Sequence, residues 1–213
     1  MEAAVRVIAA RGFDGMRLSD VAEEAGVSVG TVQHYFGSRE AVLVGAFRHV
    51  HALALRRWHA AAEGESDPWL RLVAIVDSSI DERYRERWAV WLDYWTLCQR
   101  DERMRRDSAD LHRAWMAPVC GAIDDGVAQG IFEPLGSTDD VAERLIALMD
   151  GLALQLLLEI PQTSPERTRD MLLAALARDL AVDERRERAT RLGQAAAVAS
   201  SASATVSPSS GTR

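Results

Sequence analysis

Residues 28–35 combine small and polar side chains that can hydrogen-bond, with no bulky apolar group on the outward face of the helix they are predicted to form. The outward-facing residues are Ser28, Val29, Gly30, Thr31, Gln33, His34 and Tyr35. Gln33 is the best base reader by chemistry, because its amide can pair with adenine through two hydrogen bonds. A protein interface would present apolar or aromatic anchors instead, so this face favours nucleic acid.

A second group of residues is an aromatic stripe. Trp88, Trp91 and Trp95 fall at i, i+3 and i+7 of one helical face, with Cys98 one turn further. Such a stripe is usually plain core, and the alternative is a ligand cavity walled by indole rings. Those rings suit a quaternary ammonium by cation–π attraction, or a flat apolar ligand. Further candidates for the cavity are Asp93 and Tyr94 as polar anchors, and Trp115, Met116 and Phe132 as wall.

Several classes of enzyme site are excluded by residue type. All 25 basic residues are Arg, which excludes a P-loop and any Schiff-base mechanism, since both need Lys. Cys98 and Cys120 lack the CxxC spacing of zinc and redox sites. No Glu-x-x-His pair suits a di-metal site, and Asp110 and His112 point to different helix faces. We therefore expect no enzyme activity, no metal and no cofactor.

Charge and hydropathy place further limits. Residues 1–60 hold seven arginines against six acidic residues, whereas residues 61–213 hold 18 against 26. A net charge of −7 argues against an indiscriminate binder of polyanions, so a DNA site should be local and N-terminal. The apolar run at 151–158 is far shorter than the roughly 20 residues of a membrane helix, and no signal-peptide pattern opens the chain. These features predict a cytoplasmic protein with no membrane partner.

Helical periodicity recurs along the chain and strand patterns are lacking, so the predicted fold class is all-α. A first helix should stop near Gly12, and a second, residues 18–25, should end at Gly26. Ser28 and Ser38 are suited to cap the third helix, 29–35, and a long fourth helix. Residues 63–68 form the clearest break between two parts of the chain. The later helices are predicted at about 68–80, 82–100, 103–129, 138–159 and 164–185, before a disordered Ala/Ser-rich tail at 193–213.

Helices 18–25 and 29–35, joined by a tight turn at Gly26, form a helix-turn-helix pattern, whose second helix enters the DNA major groove. Its sequence resembles the N-terminal signature of the TetR family of transcriptional regulators over about residues 5–50. The resemblance is carried by Gly12, Phe13, Leu18, Val21, Ala22, Ala25, Gly26, Val27, Ser28, Gly30, Thr31, Val32, Tyr35, Phe36, Ser38, Arg39, Glu40 and Leu43. It implies an all-helical homodimer with an N-terminal DNA reader and a C-terminal ligand domain. The expected domains are 1–50, with the helix-turn-helix at about 17–36, and 51–185.

The resemblance also implies roles for individual residues. Val29, Gly30 and Gln33 correspond to positions that read or approach bases, and Thr31, His34, Tyr35 and Arg39 to positions that grip phosphates. Ser28 and Arg17 complete the DNA-contacting candidates, although the family usually has a hydroxyl residue at position 17 and an aromatic one at position 33. The structural alternatives are a solvated Gln33, His34 or Arg39, and a Tyr35 ring packed under the turn.

The C-terminal part resembles the subgroup that contains the choline-responsive betaine-pathway repressor, through residues 88–95 and 148–156. Sensors of unrelated ligands share this type, so it does not identify the ligand. Two apolar stripes on helix 138–159 favour a dimeric four-helix bundle formed with helix 164–185. The interface candidates are Leu145, Leu148, Leu152, Leu156, Leu172 and Leu176.

The sequence and its resemblance therefore predict a regulator that binds a double-stranded DNA operator and is released from it by a small-molecule effector; the resemblance implies that it is a repressor. In that mechanism, helix 39–60 carries the ligand signal to the DNA reader. The alternative is an all-helical adaptor that uses its N-terminal helices to contact a protein partner.

Overall fold

The computed structural model of the protein describes residues 1–80 and 84–182, and within those residues it contains helices and no strands. The predicted tail at 193–213, and the end of the predicted helix 164–185, lie outside the described residues. The helices of the described part are α1 (Glu2–Gly15), α2 (Leu18–Ala25), α3 (Val29–Phe36), α4 (Arg39–Glu63), α5 (Pro68–Ser79), α6 (Tyr84–Cys98), α7 (Glu102–Ala128), α8 (Thr138–Leu157) and α9 (Pro165–Asp179). The all-α prediction is confirmed.

Local signals define the ends of the N-terminal helices. Gly26 ends α2 in the left-handed region, at φ 67° and ψ 31°, where glycine avoids the steric cost of a Cβ. The hydroxyl of Ser28 accepts a hydrogen bond from the Thr31 backbone N–H at 3.1 Å, and Ser38 does the same for Ala41 at 3.2 Å. These caps satisfy backbone donors that the first turn of a helix leaves free. The helix-turn-helix boundaries thus agree with the sequence prediction.

The first helix breaks at Gly12 instead of ending there. Gly12 has φ 68° and ψ 165°, outside the helical region, and one more turn follows as far as Gly15. The break turns the backbone of Phe13 away from the helix axis, so its N–H and C=O groups are free to bond with other elements.

Two apolar cores share the long helix α4. The N-terminal core joins α1–α4 to one side of α6, and it includes Val21, Val32, Leu43 and Phe47. The second core packs α5, α7, α8 and α9 together, and Trp58 of α4 belongs to it. Since α4 runs without interruption from one core to the other, it links the N-terminal helices rigidly to the C-terminal ones.

None of the helices in the described ranges combines the length and the apolar character that crossing a membrane requires.

Candidate DNA-binding surface and ligand cavity

The structure brings the predicted DNA-contacting residues of α3 together on one exposed face. Only Val32 of the helix turns fully inward, at 4% exposure, to anchor α3 in the N-terminal core. The exposed residues on or next to α3 are Ser28, Val29, Gly30, Thr31, Gln33, His34 and Tyr35, and Arg17 is exposed at the start of α2. Tyr35 is 76% exposed, so its ring does not pack under the turn.

Three of these side chains, those of Ser28, Thr31 and Gln33, already form hydrogen bonds within or next to the helix. The hydroxyls of Ser28 and Thr31 lie 2.9 Å apart, and the Gln33 Nε2 amide donates to the Gly37 carbonyl at 2.6 Å. That bond uses one of the two N–H groups of the Gln33 amide. The rings of His34 and Tyr35 meet edge to face, with centroids 5.5 Å apart. Base and phosphate contacts of this face stay predictions.

Arg39 is placed differently from a solvated surface charge. Its guanidinium donates to the carbonyls of Phe13 and of Asp14, the latter at 3.0 Å, and lies 4.9 Å from the centre of the Phe13 ring. Its Nε atom is buried without a hydrogen-bond partner within the described structure. Arg39 therefore ties the start of α4 to the end of α1, a structural role that the sequence pattern did not indicate.

A cavity of about 430 Å³ lies among α4, α5, α6, α7 and α8. That size is typical of a site for a small organic ligand. Five of the six tryptophans line it, together with a few polar and charged groups. The lining residues are Ala54, Trp58, Ser78, Ser79, Arg87, Trp88, Trp91, Trp95, Arg105, Ser108, Ala109, Leu111, His112, Trp115, Ile146, Met149 and Asp150.

The tryptophans form a continuous wall. The Trp91 ring is 5.6 Å from Trp95, 6.1 Å from Trp88 and 5.9 Å from Trp115, measured between centroids. Trp58 extends the wall from α4, with its ring 4.4 Å from that of Trp115. Of the two interpretations of the aromatic stripe, the cavity wall is the one that this geometry supports.

Asp93 and Tyr94 do not reach this cavity. The Asp93 carboxylate instead accepts a hydrogen bond from the Phe13 backbone N–H at 2.8 Å. The Tyr94 ring is stacked on Phe47, with centroids 3.6 Å apart, and its burial raises the pKa of the phenol. Both residues lie on the face of α6 that turns toward the N-terminal helices, away from the tryptophan stripe.

Three other predicted wall residues are also absent from the lining. Cys98 is buried in the N-terminal core, with its Sγ 3.3 Å from the Ser108 hydroxyl. Met116 packs against the second core, formed by α5, α7, α8 and α9, and Phe132 is buried within it. α6 ends at Cys98, where it meets the N-terminal core. The prediction that the stripe continues one turn beyond Trp95 is therefore wrong.

The most informative residue that the sequence reasoning missed is Asp150. Its carboxyl lines the cavity, and burial raises its pKa to about 6, although the nearby His112 opposes that shift. It is the only acidic side chain among the described residues of the cavity lining. The sequence feature that could have indicated it is an acidic residue within an apolar helix, beside the buried Met149 and one turn from the buried Ile146.

The predicted dimer contacts require a correction. Leu145, Leu152 and Leu156 of α8, with Leu172 and Leu176 of α9, are between 1% and 4% exposed because they form the chain's own core. They have almost no surface left to offer a partner, and Leu148 alone of the six is half-buried. A different stripe faces outward. It consists of Ala147, Gly151 and Leu154 on α8, Leu158 directly after α8, and Met171 and Ala174 on α9.

Comparison with known proteins shows which family the chain belongs to. Residues 1–46 match the family model described as bacterial regulatory proteins of the tetR family. Residues 68–181 match the model of the BetI-type transcriptional repressor C-terminal domain. The HTH-type transcriptional regulator BetI of Burkholderia cenocepacia is 30% identical over 161 residues, which cover 73% of this chain and 78% of that protein.

Solved structures are similar over most of the chain. A transcriptional regulator from Saccharomonospora viridis, crystallised in complex with choline, is 31% identical with a TM-score of 0.77, covering 84% of this chain and 94% of that one. A TetR-family regulator from Rhodococcus sp. is 28% identical with a TM-score of 0.71, covering 84% and 95%. Nothing in these relatives supports the adaptor alternative. The chain belongs to the TetR family, as a ligand-responsive DNA-binding transcriptional regulator, not an enzyme, with a C-terminal domain of the BetI type.

Proposed function

We propose that this regulator is a homodimeric repressor whose effector is a small quaternary ammonium cation, bound in the tryptophan-walled cavity. The observation that carries the proposal is the combination of five indole rings with the single carboxyl of Asp150 in one cavity. The Saccharomonospora viridis regulator, solved with choline, gives independent support.

The chemistry of the wall suits such a cation. A quaternary ammonium has no N–H to donate, so it is recognised by aromatic faces and by negative charge instead of by hydrogen-bond acceptors. An indole face attracts a cation by about 0.5–2 kcal/mol, more when water is excluded. The methyl groups of the cation would also be buried against apolar surface. Asp150 supplies the charge that completes the site.

Two arginines line the same cavity, and their charges oppose a cation. Each of them already donates to a backbone carbonyl: Arg87 to Ser79 and Arg105 to Gln99, both at 3.3 Å. Arg105 is also exposed, where solvent screens its charge. Trp88, Trp91, Trp95 and Trp115 therefore define the region in which a cation is favoured, with Asp150 beside them.

The cavity is connected to the DNA reader through aromatic contacts. The Phe47 ring of α4 meets Trp91 edge to face at 4.7 Å and stacks on Tyr94 at 3.6 Å. The ring of His51, one turn further along α4, has its centroid 5.1 Å from that of Trp115. Burial lowers the pKa of His51, so its neutral ring is favoured. A ligand that displaces Trp91 or Trp115 would shift α4, whose first residues follow α3 directly.

Such a shift acts through the dimer. Two recognition helices must reach successive major grooves, about 34–36 Å apart, so a small change in their separation weakens binding to both half-sites. The exposed apolar stripe of α8 and α9 supports a twofold interface, because one copy of it can cover another. Ala147 and Gly151 are small enough for two helices to approach closely.

Ligand identity is tested by titrating the intrinsic tryptophan fluorescence of the dimer. Choline is compared with 3,3-dimethylbutan-1-ol, which has the same shape but a neutral carbon in place of the nitrogen. We expect choline to quench the fluorescence, and the neutral alcohol to bind at least about tenfold more weakly, equivalent to about 1.4 kcal/mol. Equal affinity for the two would exclude a cation site.

Operator binding is tested by selecting fragments of the host genome on the immobilised protein at moderate salt. Sequence-preferring fragments should be recovered and then released by the effector. Repression follows if a reporter downstream of such a fragment is silent with the regulator and active once effector is added. Recovery of only random fragments would contradict sequence-specific recognition.

A further inference from the structure

A small niche of about 20 Å³ adjoins the tryptophan-walled cavity, between α5, α6, α8 and α9. Ser79, Trp88 and Met149 line both spaces, so these three side chains form the partition between them. The remaining niche residues are Ile80, Tyr84, Ala153, Leu156, Thr168 and Leu172. We refer to this space as the Thr168 niche.

Thr168 is an unusual residue in that lining. It is 2% exposed, and its Oγ1 is buried with no hydrogen-bond partner among the described residues. The Ser79 hydroxyl of the niche is already engaged: it donates to the Ile75 carbonyl at 2.9 Å and accepts from Trp58 Nε1 at 3.1 Å. Apart from Tyr84, the rest of the lining is apolar.

A buried hydroxyl without a partner is costly, and a group that bonds to it gains both the hydrogen bond and the removal of that cost. The niche holds about one water-sized group, since a single water needs roughly 10–15 Å³ measured in this way. A ligand hydroxyl fits that space, whereas a branched or charged group does not. The cavity and the niche share only Ser79, Trp88 and Met149, so a short arm of a cation held among the indoles would enter the niche past these side chains.

We propose that Thr168 is a specificity-determining residue, which binds a hydroxyl on a short arm of the effector. This inference rests on the proposed cation site. Quaternary ammonium ions without a hydroxyl would still occupy the indole wall, but they would leave Thr168 unpartnered.

The test compares choline with ethyltrimethylammonium, in which hydrogen replaces the hydroxyl, by fluorescence or calorimetric titration of the full-length protein. The wild-type protein should prefer choline by about tenfold, or about 1.4 kcal/mol. In Thr168→Val, which keeps the shape of the side chain, the preference should fall below about twofold while the affinity for ethyltrimethylammonium stays unchanged. Ser78→Ala is the matched control, because it removes a hydroxyl from the main cavity only, and the preference should persist.

A second variant keeps the inference testable if Thr168→Val does not fold. Ala153→Val extends a side chain into the niche from α8, so it should weaken choline binding about tenfold and leave tetramethylammonium binding unchanged. An unaltered choline preference in Thr168→Val, or an unaltered choline affinity in Ala153→Val, would overturn the role of Thr168 while the cation site stands. If neither choline nor ethyltrimethylammonium binds the wild-type protein, the proposed function itself fails, and this inference fails with it.

Discussion

The Asp93 carboxylate accepts a hydrogen bond from the Phe13 backbone N–H at 2.8 Å, joining residues that are 80 positions apart in the chain. Asp93 lies on α6 between Trp91 and Trp95, which line the ligand cavity. The Phe13 carbonyl in turn accepts a hydrogen bond from Arg39 at the start of α4. The broken end of α1 is therefore held by the helix that meets the ligand and by the helix that follows the DNA reader.

We predict that Asp93→Ala weakens ligand-induced release from DNA more than it weakens DNA binding. The substitution removes the acceptor of the Phe13 N–H, so a displacement of α6 is passed less directly to the end of α1. A loss of stability of about 1–3 kcal/mol is expected from the unpaired buried group. The fluorescence anisotropy of a labelled operator, recorded with and without choline, measures the effect. Asp93→Asn keeps an acceptor oxygen and should preserve release; equal release in both variants would contradict this route.

Cation binding should depend on pH through Asp150. Burial raises the pKa of this carboxyl to about 6, so it is mostly protonated at pH 5 and mostly ionised at pH 7. The ionised form attracts a cation, and therefore the choline affinity should rise between pH 5 and pH 7 and level off above that. Asp150→Asn should bind more weakly at pH 7.5 and lose this rise. His112→Gln should keep it, and a flat wild-type profile would exclude Asp150 from the site.

The dimer interface is predicted to lie on the exposed stripe of α8 and α9. Leu154 is 38% exposed in the protomer, so Leu154→Glu should leave the fold intact and produce a monomer in sedimentation experiments. Leu152→Glu should instead unfold the chain, because Leu152 is 3% exposed and a charge there would be buried without a partner. Val127→Glu on α7 is the control and should remain dimeric. A dimeric Leu154→Glu protein would place the interface elsewhere.

Two substitutions on α3 separate base reading from backbone contact. Gln33→Ala should relax base preference at one position of each half-site, at a cost of about 1–3 kcal/mol for the preferred base. Tyr35→Phe removes only a hydroxyl from a ring that is 76% exposed, so it should weaken binding equally on all sequences. Affinities for a panel of operator variants distinguish the two patterns. A uniform loss for both would show that Gln33 does not read bases.

Much of the N-terminal part could be predicted because its signals are local. Gly26, Ser28 and Ser38 act on the backbone within one helical turn of themselves, so residue type alone predicts where α2 ends and where α3 and α4 begin. The outward face of α3 followed from the same reasoning, since one buried residue, Val32, orients the whole helix.

Positions that depend on a distant partner could not be predicted in this way. Periodicity shows that α8 is apolar on several sides, but Leu152 is in the core and Leu154 on the surface only because of where α5, α7 and α9 pack. From the sequence, the tryptophan stripe could equally be solid core; it lines a cavity because α4, α7 and α8 leave a space beside it. Asp150 and Thr168 acquire their roles from that same space. Residue types predict the helices and several of their ends, because capping and the hydrogen bonds within a helix are local. Which faces are covered depends on tertiary packing, because burial involves residues far apart in the chain.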